Sequence, residues 1–411
     1  MLYLLVRSKG AYNIIEQNRS IQVLDKKAKI FLEQNTSMQF LDKELTTILE
    51  KNRSILIMDK ETKTIIKSNR SKQILDEETK TILEKNRSEN IKALSVSNSS
   101  TETNTTTEPQ LNFHLEAGVY DKWKLFKVNY FVMIGKKWKE LSSRSTCLAS
   151  QASVDRFHWF HTLINNWDGP ISIAVFVPDI EYAIAKSLLR FFARCFPAIV
   201  ERVSFGFIYP KKYPPLVNLN LDDIIKDVTC LQYKEAVELL VKKRSSKMLK
   251  WRTTYAYPQN LHRNVARSMC RTKYVFTPDL DMIPNPSLAQ DLDEFLAHHK
   301  SCHKCAFVVP TYEISTKSQT IPRTKLELLP MIKKKLARIF HVQIFKENQF
   351  SSKLELWEKK VPKKNETLQI AYEVTEYIFK YEPLYVAKAD VPKFDERFMG
   401  FGMTRNTQVS S

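Results

Sequence analysis

The segment 272–287, Thr-Lys-Tyr-Val-Phe-Thr-Pro-Asp-Leu-Asp-Met-Ile-Pro-Asn-Pro-Ser, constrains this chain more than any other. An apolar run, Tyr274 to Phe276, leads into two carboxylates separated by one residue, Asp279 and Asp281, and prolines then stop the strand. Carboxylates at the end of a buried strand are costly unless a cation neutralises them. Hard divalent ions such as Mn²⁺ or Mg²⁺ prefer oxygen ligands and also grip phosphates. In α/β sheets, ligands bind in the crevice beyond the carboxyl ends of the strands. The segment therefore points to a metal–diphosphate site with Asp279 and Asp281 as metal ligands.

From about residue 120 the rest of the chain supports such a sheet. Strand-like runs occur at 145–150, Ile171 to Val177, Val203 to Tyr209, Tyr274 to Pro278, Ala306 to Val309 and Leu384 to Ala387. Helical patterns fall between them at Val154 to Asn166, Glu181 to Cys195, Leu261 to Arg271, Ser287 to His298 and Lys325 to Phe340. This alternation predicts an α/β fold: a mostly parallel, Rossmann-like sheet with helices on both faces. The 411 residues include only seven glycines, with no Gly-x-Gly-x-x-Gly and no P-loop. Phosphate binding then depends on a metal and basic side chains rather than a glycine cradle.

Two further segments carry candidate chemistry. On the helix before the acidic strand, Arg263 and Arg267 are four residues apart and share a face, with Asn264 beside them. That face either reaches a metal-bound diphosphate, making all three substrate-binding, or is an ordinary solvated helix surface. Near the end, Val391-Pro-Lys-Phe-Asp-Glu-Arg-Phe-Met-Gly-Phe-Gly-Met-Thr-Arg-Asn sets acidic residues among aromatics that suit a sugar ring. Asp395 or Glu396 is the candidate base for an acceptor hydroxyl. Without context, the same triplet is a surface salt-bridge cluster.

The N-terminal part is different. Asn18, Asn35, Asn52, Asn69 and Asn86 each begin an Asn-X-Ser triplet, at a constant spacing of 17 residues. On a helix, that period turns the apolar pairs by about 100° at each repeat, so no continuous apolar face forms. Residues 1–94 are expected to form a small β-meander or to be disordered, and 95–119 a polar linker. The domain carrying the chemistry is expected over 120–411. Asn98, Asn104 and Asn365 add further glycosylation acceptors, used only if the chain enters the lumen.

A net charge of +19 admits nucleic acid, an anionic membrane or an anionic substrate as partner. The basic residues are scattered, with no basic helix interleaved with aromatics, so no nucleic-acid partner is expected. Six cysteines do not settle the redox compartment. His298, His299, Cys302, His303 and Cys305 include a single Cys-x-x-Cys, which favours a surface loop or a local disulfide over zinc. The apolar run Leu2 to Val6 is too short for a signal or a membrane span.

Five stretches, in order, resemble glycosyltransferase family 49. They are Trp167 to Phe176, Tyr257 to Arg267, Tyr274 to Pro284, Ala306 to Ile314 and Pro383 to Gly402. The resemblance covers about residues 125–408. It implies a GT-A fold and a type II Golgi membrane enzyme. It also implies Mn²⁺-dependent inverting transfer from a UDP-sugar, with glucuronic acid the best-known sugar, to a glycan or glycoprotein acceptor. On that analogy Asp279 and Asp281 hold the metal. Family members continue past the Asp-Glu-Arg-Phe motif into a tail that supplies a metal-binding histidine, whereas here no histidine follows His341 and Thr404 stands where asparagine is usual. The N-terminal anchor is replaced by the repeat. These departures lead to the expectation of either an incomplete sequence or a catalytically inactive relative that binds glycans or partners.

Overall fold

The computed structural model describes residues 4–7, 115, 117–299, 305–318, 320–361, 367–376, 378, 380–400 and 404–409. The described residues all belong to one unit, Met1–Ser8 with Asn86–Ser411. Apart from 4–7, the expected 1–94 segment with its 17-residue repeats and most of the expected linker lie outside the described residues.

Twelve strands are described: β1 (Leu4–Arg7), β2 (Val119–Tyr120), β3 (Phe126–Met133), β4 (Thr146–Ser153), β5 (Ile171–Phe176), β6 (Val203–Pro210), β7 (Tyr274–Phe276), β8 (Met282–Pro284), β9 (Ala306–Val308), β10 (Thr311–Ile314), β11 (Ala337–Ile339) and β12 (Tyr385–Lys388). The larger sheet has the order β2-β3-β6-β5-β4-β7-β12-β9. Its central strands β6, β5, β4 and β7 run parallel. Antiparallel strands complete each side. Every residue of β5 and β6 is buried, which is why both read as unbroken apolar runs. A smaller sheet, β11-β10-β1-β8, takes its β1 from the chain's first residues, parallel to β10 and antiparallel to β8.

The order of the central strands decides where a ligand belongs. The chain steps from β4 to β5 to β6 in one direction, then places β7 on the other side of β4. The crevice between the carboxyl ends of β4 and β7 is therefore the topological switch point of the sheet. Asp279 and Asp281 follow β7 into that crevice.

The helices used below are α1 (Phe160–Asn166), α2 (Glu181–Cys195), α3 (Tyr233–Val241), α4 (Ser246–Thr254), α5 (Gln259–Met269), α6 (Leu288–His298), α7 (Lys325–Lys333) and α8 (Leu354–Lys359). Aromatic rings on α1, α2 and β6 form much of the core: Phe160 meets Phe192 and Phe205 edge-on at 6.1 and 5.5 Å between centroids. A second apolar cluster joins Tyr312 and Ile314 of β10 to Leu328 of α7 and to Leu354 and Trp357 of α8.

Two expected helices differ. The first turns of the 154–166 segment wind as a 3-10 helix, Val154–Trp159, before α1 begins. The helix expected over Lys325 to Phe340 ends at Lys333, because Lys335 takes a left-handed conformation (φ 55°) and the chain then pairs with β10 as β11.

Helix α5 is clamped across the parallel strands. Ser172 Oγ of β5 donates to the Ala266 carbonyl at 2.7 Å. Gly206 of β6 permits the close approach, since a Cβ there would lie 3.0 Å from Met269 Cε. A disulfide joins Cys147 of β4 to Cys270 at the end of α5, 123 residues on, and a second joins Cys195 to Cys230. Cys305 is also disulfide-bonded, so it offers no thiolate to zinc. Cys302 and His303 lie outside the described residues. Replacing both Cys147 and Cys270 with serine should lower stability by about 2–5 kcal/mol in denaturant unfolding. An unchanged midpoint would show that the bridge is not holding α5.

Candidate active site at the sheet switch point

The acidic pair sits on a tight turn between β7 and β8. The Met282 amide donates to the Asp279 carbonyl at 2.9 Å, Leu280 between the acids is buried, and both carboxylates stay partly open, with side-chain exposures of 25% and 35%. The turn is fixed to the neighbouring strand, since Ser150 Oγ of β4 donates to the Pro278 carbonyl at 2.8 Å.

One oxygen of Asp279 is fully committed. Its Oδ1 accepts from Arg405 Nη2 at 2.9 Å, Arg263 Nη2 at 3.2 Å and Gln151 Nε2 at 3.5 Å. Gln151 is itself oriented by Tyr257, whose hydroxyl donates to Gln151 Oε1 at 2.6 Å. Oδ2 of Asp279 has no hydrogen-bond partner among the described residues. Burial opposes ionisation of this carboxyl, but Arg405 and Arg263 outweigh it and bring the pKa to about 2. The result is a fixed carboxylate with one oxygen locked and the other left open among the described residues.

Asp281 meets Arg156 Nη1 at 3.8 Å, and Arg156 leads into a buried ionic cluster on the same rim. Glu181, with no solvent exposure, takes Arg252 on both oxygens at 2.9 and 2.8 Å and Arg244 at 2.8 Å. Asp155 meets the same two guanidiniums at 3.4 and 2.8 Å. Burial works against ionisation of Asp155, and Arg244 and Arg252 overcome it, holding its pKa below the ordinary value. Arg156, Asp155, Arg244, Arg252 and Glu181 lie on four separate segments, and only the fold unites them.

The polar face of α5 reaches two places. Arg263, 2% exposed, contacts Asp279 and also donates to Thr404 Oγ1 at 2.8 Å. Burial drives its pKa down to about 10, still protonated at neutral pH. Asn264 and Arg267 are engaged with the 391–396 loop. Asn264 Nδ2 donates to the Phe394 carbonyl and to Glu396, at 2.8 and 2.9 Å, and Arg267 donates to the carbonyls of Pro392 and Val391 at 3.1 and 3.0 Å. Phe394 lies under both guanidiniums, 5.5 Å from each.

In that loop, Asp395 is paired with the exposed Arg397, whose hydrogen bonds lower its pKa. Glu396 is turned toward α5, and burial raises its pKa. The two candidate bases therefore differ in character: Asp395 is an ionised surface carboxylate and Glu396 a shielded, more basic one. Arg405, Gln151 and Tyr257 were not legible as site residues, because each acts through a partner at least 100 residues away, as with Gln151 and Tyr257 (106 apart) and Arg405 and Asp279 (126 apart).

The donor set suits a hard divalent cation. It offers carboxylate oxygens, one held ionised with a free lone-pair face, and Mg²⁺-type sites use one or two carboxylates with phosphates completing the shell. No cluster of three His, Cys, Asp or Glu side chains able to hold a metal occurs among the described residues.

Residues 145–411 match the family described as glycosyl-transferase for dystroglycan, glycosyltransferase family 49. The chain belongs to this family. It is 29% identical over 285 residues to β-1,4-glucuronyltransferase 1 of Bos taurus, covering 68% of this chain and 66% of that protein. The Danio rerio protein of the same name is 23% identical over 298 residues, 71% of this chain and 68% of its own length. Xylosyl- and glucuronyltransferase LARGE2s of Gallus gallus is 26% identical over 264 residues, 64% of this chain and 28% of the relative. The chain thus spans about two thirds of the first relatives and a quarter of the last. Among the described residues, no helix of this glycosyltransferase family member is long and apolar enough to cross a membrane.

His262 on α5 gives a pH test of this packing. It is fully buried, and burial lowers its pKa from 6.5 to about 3. The folded state therefore favours the neutral ring, so its contribution to stability is complete above pH 6.5 and is lost as pH falls toward 3. Stability should fall by up to about 1.4 kcal/mol per pH unit in this window through His262 alone. A His262→Gln variant should show a shallower fall in pH-dependent urea unfolding. An identical slope would mean that the ring is solvated.

Proposed function

We propose that this chain is a metal-dependent, inverting glycosyltransferase of the GT-A fold. It moves glucuronic acid from a UDP-sugar to a hydroxyl of a glycan or glycoprotein acceptor. The observation that carries this reading is the position of Asp279 and Asp281 at the switch point, with Asp279 locked on one oxygen and open on the other. The names of its relatives, β-1,4-glucuronyltransferase and xylosyl- and glucuronyltransferase, support the reaction class and the sugar.

Asp279 Oδ2 and Asp281 would hold Mn²⁺ or Mg²⁺. When bound, the ion supplies positive charge that stabilises the departing diphosphate. Arg156, beside Asp281 and partly exposed, adds a guanidinium on the same rim. Arg263 acts from beneath, holding Asp279 ionised, while Asn264 and Arg267 set the height of the acceptor loop. A carboxylate of the Asp395–Glu396 pair takes the proton of the acceptor hydroxyl. The acceptor oxygen then bonds to the anomeric carbon as the bond from that carbon to the UDP oxygen breaks, and UDP leaves with the electron pair. Glu396 is the stronger base of the two, because burial raises its pKa. Work in the Golgi lumen is part of the proposal, and the disulfides, which persist in oxidising compartments, support it.

The test is calorimetry of UDP binding to the full chain, with Mn²⁺ and with a chelator, for the wild type and for Asp281→Ala. Binding should require the metal, and Asp281→Ala should weaken it about 100-fold, the upper end for a disturbed metal site. Metal-independent binding, or none by folded protein, would refute the donor-site reading.

A further inference from the structure

Arg405 stands near the end of the Val391–Asn406 segment without an evident role of its own, yet the site's geometry depends on it. Arg405 is only 8% exposed, and its side chain makes two directed contacts. Nη1 donates to the Thr277 carbonyl at 2.6 Å and Nη2 to Asp279 Oδ1 at 2.9 Å. One planar guanidinium therefore spans the turn that leaves β7, gripping backbone on one side and the carboxylate on the other. The backbone of Arg405 is anchored in turn. Its amide donates to Glu382 Oε1 at 2.8 Å, the Asn406 amide donates to the same oxygen at 3.0 Å, and Asn348 Nδ2 donates to Glu382 Oε2 at 3.2 Å. The preceding residue, Thr404, is tied to α5 through Arg263 and through an Asn260 Nδ2 bond to its carbonyl at 3.0 Å.

We propose that Arg405 is the positioning residue of the metal–diphosphate site: it fixes which oxygen of Asp279 faces the crevice. The inference rests on the donor-site reading above and names a residue that acts through Asp279 rather than on the substrate. Two guanidiniums share Oδ1, so neither ion pair occupies Oδ2. Without Arg405 the carboxylate keeps Arg263 and the long Gln151 contact but loses its shortest partner and its bridge to the Thr277 carbonyl, and its open oxygen is less firmly oriented. An orienting partner of this kind typically changes metal affinity by about 10–100-fold. Lysine is a poor substitute, because a single ammonium lacks the fork that bridges Thr277 and Asp279.

The experiment is calorimetry of Mn²⁺-dependent UDP binding to the full chain as wild type, Arg405→Ala and Arg405→Lys, with urea unfolding to confirm folding. Arg405→Ala should bind about 10–100-fold more weakly. Millimolar guanidinium chloride should restore part of that loss, since the free ion refills the vacated position. Arg405→Lys should remain weaker than wild type, and this milder variant decides the matter if the alanine variant does not fold. Wild-type affinity in either folded variant would overturn the proposal. Tighter metal binding would also overturn it, because Arg405 would then be competing with the cation. So would a loss in Arg405→Ala that guanidinium leaves untouched, which would assign the effect to packing of the 404–409 segment. Failure of the wild type to bind UDP with Mn²⁺ is a different result: it would remove the donor site itself, and this inference with it.

Discussion

Two arginines on one helix, Arg263 and Arg267, have almost no contact with water, and a buried guanidinium is tolerable only when acceptors surround it. That requirement organises the site. Arg267 satisfies it with backbone carbonyls of 391–392 and with the ring of Phe394, drawing the loop that carries Asp395 and Glu396 onto α5. Arg263 satisfies it with Asp279 and Thr404. One helix face thereby sets the relative position of the acidic turn and the acceptor loop. One proposed cation ligand, Asp279, and the proposed base Glu396 are held by neighbouring side chains of a single rigid element. Clamping α5 to the parallel strands, through Ser172 and the Cys147–Cys270 bridge, transfers that rigidity to the sheet.

Charge around the crevice is balanced for an anionic ligand. Asp279 and Asp281 face Arg263, Arg405 and Arg156, while Asp155 and Glu181 occupy Arg244 and Arg252 further along the rim. Among the described residues, these ion pairs set three guanidiniums, one of them shared with Asp155, near the two carboxylates. A divalent cation alone would enter a field that is already positive. A cation together with a diphosphate would nearly neutralise it. Metal and nucleotide are therefore expected to bind as a unit, consistent with sites that rely on substrate phosphates to complete the metal shell.

Much of this was legible in the sequence, and the physics explains which parts. Strands buried on both faces read as continuous apolar runs, so Ile171–Phe176 and Val203–Pro210 stood out, and with them the central parallel sheet. The acidic pair stood out because carboxylates interrupt such a run. Helix α5 was found, but not what its polar face touches, because the 391–396 loop that covers it lies about 130 residues downstream. Strand β3, whose first half alternates between apolar and polar residues, went unmarked, as did the short strands β8, β10 and β11. Arg405 looked like one more basic residue among 64 lysines and arginines, and only a distance to Asp279 singles it out.

The most direct measurement is anomalous diffraction at the manganese edge from crystals of the full chain grown with Mn²⁺ and UDP. The account predicts a single strong peak between Asp279 Oδ2 and Asp281, with the diphosphate beside it and Arg405 still bonded to Asp279 Oδ1. A nucleotide bound away from the crevice between β4 and β7, or a metal on Asp279 only after Arg405 has swung out, would contradict it.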